Sequence, residues 1–141
     1  MSSAAEVGIG SELTAAPYVL DDAAAQAYER GVKEPVRRWR TNIHTDRSAA
    51  AQAGYKAPIA AGEHTIAVAM QLVVDRFGER FLRGGSFDVA LIKPVFFGDT
   101  ITAHARAARK ANGRLDLDLW VTNQDGASVL TGTASVRDTA Q

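Results

Sequence analysis

The second half of the chain alternates between apolar and polar positions. From Thr100 to Ala107, residues Ile101, Ala103, Ala105 and Ala107 fall on one face, and Thr100, Thr102, His104 and Arg106 on the other. Leu115, Leu117, Leu119 and Val121 alternate in the same way with Asp116, Asp118, Trp120 and Thr122. A period of two marks half-buried antiparallel strands. Asn112-Gly113 and Asp125-Gly126 are hairpin turn signals between them, and Gly98-Asp99 is a further turn after KPVFF. The pattern predicts a meander of strands over 86–95, 100–110, 114–123 and 127–137.

The first half has a different texture. Between Thr65 and Val74 only Gln71 is neither apolar nor threonine. A helix over TIAVAMQLVVDRFGERF (65–81) is predicted, apolar nearly all round and therefore buried on most sides. Its β-branched content leaves a pair of buried strands as the alternative; its length favours about four helical turns. Upstream, Leu13 to Leu20 reads as a first strand that Pro17 keeps at an edge. Asp21 and Asp22 open a short helix, AAAQAYERG, with Gly31 as its stop. Residues 32–47 hold no clean period and read as an irregular Arg-rich segment. Asp46 or Ser48 caps a further turn of helix, SAAAQAG, which Gly54 ends. Pro58 and Gly62 bend the chain into the long helix. Residues 1–11 are small and polar and read as a flexible end, with 12–141 as a single domain. An apolar helix followed by long antiparallel strands needs a sheet as its cover, so the fold class is α+β.

Composition narrows the function classes. The chain has 141 residues, and its 16 basic and 16 acidic side chains cancel. That balance argues against a nucleic-acid grip built on bulk positive charge and against a polybasic membrane patch. The apolar run at 65–74 is far shorter than the roughly 20 residues of a membrane span. The start, MSSAAEVGIGSEL, has no basic region of the kind a secretory signal carries. A cytoplasmic location is the expectation. With no cysteine and three scattered histidines, no metal and no redox cofactor is expected.

Three strings resemble the MaoC-like hydratase/dehydratase family, which includes the R-specific enoyl-CoA hydratases. NIHTDRSAAAQAGYKAPIAAG (42–62) is similar to the family's overhanging segment and the glycine at the mouth of its central helix. FDVALIKPVFFGDTITAHARA (87–107) is similar to its strand–Pro–turn–Gly-Asp–strand passage. GASVLTGTASV (126–136) is similar to its closing strand. The resemblance implies the hot-dog fold, a long central helix wrapped by an antiparallel sheet. It also implies a dimer or a multiple of one, with active sites near the contact between copies.

The resemblance carries His44 into the place of the family's catalytic histidine. Family hydratases have D-x-N-P-x-H there; this chain has Trp39 where the Asp stands, Thr41 for the Asn and Asn42 for the Pro. The family's histidine before the helix-opening glycine is Ala61. Hydration of an enoyl thioester needs a base on water, a proton for Cα, and donors for the thioester oxygen. An imidazole suits the proton work, because its unperturbed pKa is about 6.5. The amides that open the central helix suit the oxyanion, and Gly62 lets a thioester oxygen approach them.

The missing carboxylate leaves several residues in play. Glu63 is the candidate substitute, although a carboxylate in a first helical turn also has a purely structural reason. His64 is a second candidate for catalysis. Asp46 is more simply a helix cap. Trp39 reads as a pocket wall for a flat or conjugated substrate, and Tyr55 as an aromatic lining the acyl pocket. Asn42 and Arg40 are candidate substrate contacts, with Arg37, Arg38 and Arg40 either a solvated face or a contact for carrier phosphates. His104 reads as exposed, and Trp120 as an interface or a second wall.

The favoured reading is a hydratase or dehydratase acting on an acyl-CoA or acyl-carrier-protein thioester, in a fatty-acid, polyketide or other natural-product pathway. The alternatives are a thioesterase that uses Glu63, a non-catalytic or substrate-binding subunit, and altered chemistry such as cyclisation or conjugate addition.

Overall fold

In the computed structural model, residues 7–33 and 42–138 are described, with side chains of 7–29 and 42–138. The alternating stretches form the strands the pattern predicts. In chain order the elements are β1 (Glu12–Thr14), β2 (Tyr18–Val19), α1 (Asp22–Lys33), α2 (Arg47–Gln52) and α3 (Gly62–Phe77). Then follow α4 (Glu79–Leu82), β3 (Ser86–Leu91), β4 (Thr100–Ala111), β5 (Arg114–Thr122) and β6 (Ser128–Arg137). The strands make one antiparallel sheet in the order β1-β4-β5-β6-β3, and β2 pairs beside β1 on β4. The register sets Ala105 against Leu119 and Leu119 against Gly132, so the apolar positions of β4 and β5 share one face.

That face carries the core. Ile101, Ala103, Ala105, Leu115, Leu117, Leu119, Val121, Leu130 and Val136 are all buried there. Small side chains on β4 let α3 lie close to the sheet, and Ala69, Val73 and Phe77 of the helix complete the packing. Burial of this kind stabilises by roughly 1.5–3 kcal/mol per large aliphatic side chain. The backbone is tight where β6 meets β3. A Cβ on Gly132 would stand 2.1 Å from the carbonyl oxygen of Asp88, so no side chain fits. Among the described residues no helix is long and apolar enough to cross a membrane.

Several details depart from the sequence pattern. Gly31 does not stop α1, which continues to Lys33. A glycine ends a helix only where the chain turns left-handed after it; inside one it costs about 1 kcal/mol. The Leu13–Leu20 stretch is two short strands, because Pro17 interrupts the ladder. Of the segment read as a flexible end, residues 7–11 are docked: Val7 is buried and the Gly10 amide donates to Ala107 O at 2.7 Å. Finally, α3 opens at Gly62 and ends before Gly78, and it is not covered all round. Met70 is 37% exposed, and Ala67 and Gln71 share its open side.

The strand expected over 86–95 ends at Leu91, and the reason bears on the site. Residues 92–97 leave the sheet to hold a neighbouring loop. Ala60 N–H donates to Val95 O at 2.7 Å and Phe97 N–H to Pro58 O at 3.0 Å, with Ile59 and Phe96 bridged. Pro94 has no N–H to give a ladder.

Candidate active site

The loop pinned by residues 92–97 carries the contact that orients His44. A turn at 42–46 presents the histidine. The His44 amide donates to Asn42 Oδ1 at 2.7 Å, and the Asn42 amide donates to Thr45 Oγ1 at 3.0 Å. The amides of Thr45 and Asp46 both donate to Asn42 O. Asp46 then caps α2 by accepting from the Ala49 amide at 2.8 Å. Across this turn, Ile59 N–H donates to Ile43 O at 3.0 Å.

The ring of His44 is fixed by the same loop: its Nδ1 lies 2.8 Å from Ile59 O. A carbonyl oxygen only accepts, so Nδ1 carries the proton and the neutral ring keeps its lone pair on Nε2. Nε2 makes no hydrogen bond among the described residues. The arrangement is that of a base held in one tautomer.

His44 and Gly62 line one cleft of about 290 Å³. Tyr55 forms part of its wall, set edge-on to Phe96 at 6.4 Å. Thr65, Leu91, Ile92 and Lys93 line it too. At its back α3 begins. The N-cap is Ala61, whose side chain has nothing to offer the first amides. These N–H groups lie at the positive end of the helix dipole. Gly62 lets the Leu91 side chain pack closely here: a Cβ there would stand 2.5 Å from Leu91 Cδ1.

The other candidates fall elsewhere. Asn42 shapes the His44 turn from within and does not line the cleft. Glu63 is exposed and outside the cleft; its charge is felt by Tyr28 instead. His64 is buried on a different flank of α3. Its Nε2 lies 2.9 Å from Tyr18 Oη, and its ring stacks on Tyr28 at 4.4 Å. Burial pushes the His64 imidazole below its ordinary value, against an opposing pull from Glu29. Burial likewise raises the phenols of Tyr18 and Tyr28, helped by Asp21 for the first and by Glu63 and Glu29 for the second. So the structure does not bring Glu63 or His64 to His44. Trp39 and Arg40, with Arg37 and Arg38, lie outside the described residues. Among those described, no three metal-binding side chains cluster.

His104 is not simply exposed. It sits on the outer face of the sheet, stacked on Trp120 at 5.3 Å, with Thr14 and Thr122 hydroxyls at its two nitrogens. Arg106 lies over the same Trp120 ring. Thr65 and Lys93 are polar cleft residues that the sequence reading missed. The first hides in an apolar helical run, and the second in a Lys-Pro-Val passage that reads as a turn.

A family model described as "MaoC like domain" matches residues 40–127. The fold is also that of solved hot-dog proteins. The R-hydratase PhaJ1 from Pseudomonas aeruginosa superposes with a TM-score of 0.80 at 19% identity, over 98% of this chain and 86% of that one. A monoamine oxidase regulatory protein from Archaeoglobus gives 0.73 at 25% identity, over 95% and 93% of the two chains. The ChsH1-ChsH2 complex from Mycobacterium tuberculosis gives 0.75 at 17% identity, over 92% and 97%. No curated protein sequence matches.

Proposed function

The chain belongs to the MaoC-like domain family, and from that membership we propose that it is an acyl-thioester hydratase or dehydratase with His44 as its general acid and base. The observation that carries this reading is the convergence of His44 and the mouth of α3 on one cleft. In the hydration direction, Nε2 of His44 takes a proton from water as the oxygen adds to Cβ of the enoyl thioester. The electron pair of the double bond moves toward the thioester oxygen. The amides that open α3 hold the charge that develops there. The imidazolium then returns the proton to Cα, and the ring ends neutral. Dehydration is the same path reversed.

Among the described residues Lys93 is the cation on this cleft, and it suits the phosphate of a coenzyme A or carrier-protein arm. A second copy of the chain is the partner proposed. β3 lies at the end of the sheet order and pairs only with β6 among the described residues. Leu91 and Ile92, 47% and 51% exposed, stand at its end beside the cleft. Pairing two such edges covers both residues. Sedimentation equilibrium is expected to give a dimer; a monomer at micromolar concentration contradicts this.

A second reading has one observation in its favour. No carboxylate lines the cleft among the described residues, which suits a subunit that works with a carboxylate-bearing partner. The thioesterase reading loses support, because Glu63 stands outside.

The test is to incubate the purified chain with enoyl and β-hydroxyacyl thioesters of several chain lengths and follow enone absorbance. Turnover that falls about 10²–10⁴-fold in His44→Ala supports the enzyme. Turnover unchanged by that substitution contradicts it. An inert chain that becomes active only with a second hot-dog chain supports the subunit reading.

A further inference from the structure

A cavity larger than the cleft of His44 lies elsewhere in the described structure. It is a slot of about 450 Å³ along another flank of α3. His64, Ala67, Val68, Gln71, Leu72 and Asp75 recur at helical spacing along its floor. At about 100° per residue these share one broad strip of the helix, centred away from Gly62. The opposite wall comes from Tyr18, Tyr28 and the 15–17 segment. The two cavities have no lining residue in common.

We propose that this slot is a second small-molecule site, for an uncharged, flat and largely apolar molecule that carries one hydroxyl or carbonyl group. The site goes beyond the function proposed above and does not depend on it.

Its size is that of a ligand pocket, and its walls follow the same pattern of apolar surface with few polar groups. The polar groups sit at one end as a bonded pair, His64 with Tyr18, beside the stacked ring of Tyr28. Burial disfavours the charged form of both members of the pair. A phenol bonded to an imidazole still has capacity to give or take one more hydrogen bond. Among the described residues no lysine or arginine lines the slot, and the charged residue there is Asp75, to which Gln71 donates. An anion would therefore gain no partner and meet one like charge. That excludes the phosphates of a carrier arm and a free carboxylate, and it separates this ligand chemistry from the cleft that Lys93 lines.

The probes are naphthol and naphthoate, matched in shape and differing in charge. Naphthol is titrated into the wild-type chain and into His44→Ala, with calorimetry and the imidazole NMR signals as readouts. One molecule is expected to bind per chain, with affinity within about twofold in His44→Ala. The His64 signal should shift and the His44 signal should not. Ala67 is exposed, so Ala67→Trp fills the slot without opening the core and should weaken binding by at least about tenfold. Naphthoate should bind at least about tenfold more weakly than naphthol. Absence of saturable binding overturns the proposal. So does equal affinity for naphthoate, insensitivity to Ala67→Trp, or loss of binding in His44→Ala.

Discussion

His44 and His64 both stand near the start of α3, yet the chain treats them as different reagents. His44 is in a short turn, partly open to solvent, with one ring nitrogen fixed by a backbone carbonyl and the other left to a cleft. His64 is inside a helix, buried, bonded to a phenol and stacked on a second aromatic ring. One keeps a ring nitrogen without a hydrogen bond among the described residues. The other has its accessible nitrogen satisfied from within and its charged form disfavoured. An imidazole near a helix mouth is thus not enough to mark a catalyst; what matters is which nitrogen its neighbours leave over.

The contrast is broken most sharply by exchanging activity losses. His44→Ala should cut turnover of an enoyl thioester by about 10²–10⁴-fold, and His64→Leu should leave it within about twofold. A collapse of turnover in His64→Leu with the fold intact would erase the distinction. The next effect is on stability. Leucine at 64 leaves the Tyr18 hydroxyl to find another partner, at a cost of about 1–3 kcal/mol by chemical denaturation. His44→Ala should cost less, since the turn at 42–46 is held by Asn42 and Asp46.

A smaller signature is the acid limb of stability. The folded pKa of His64 is lowered by burial, while in the unfolded chain it is about 6.5. Above both values the group contributes no pH dependence. As pH falls through about 6.5 the unfolded chain takes up the proton first, so stability declines, and continues to decline until the lowered folded value is passed. Glu29 opposes the shift and reduces the effect. The melting temperature of the wild type should therefore fall more steeply between pH 7 and acid than that of His64→Leu. Parallel curves would contradict a neutral buried imidazole. The smallest effect expected is that of Asp46→Ala, which removes the α2 cap at a cost of about 1 kcal/mol and loosens the turn that carries His44.

The strands were legible because their period of two survives in the folded sheet, and the central helix because its apolar run is long enough for about four turns. The end of β3 was not: Pro94 marks a break in the ladder, but nothing in the sequence says that Ile92 to Phe97 will brace Pro58 to Ala60. The helix boundary at Gly31 failed for a local reason: a glycine marks a stop only through its backbone angles, which the sequence does not print. At the site, His44 and Gly62 were reachable only through the family resemblance. No pattern near them distinguishes a catalytic loop from an ordinary turn. Glu63 and His64 looked like neighbours of Gly62 on paper. Successive helical residues point about 100° apart, so two steps carry His64 to another face of α3.

The most direct measurement is a crystal structure of the protein with an unreactive β-hydroxyacyl thioester analogue bound. The account predicts the thioester oxygen about 2.7–3.1 Å from an amide at the start of α3. It also predicts the β-hydroxyl within about 2.6–3.2 Å of Nε2 of His44. An analogue seated elsewhere, or in this cleft with its β-carbon turned away from His44, would contradict it.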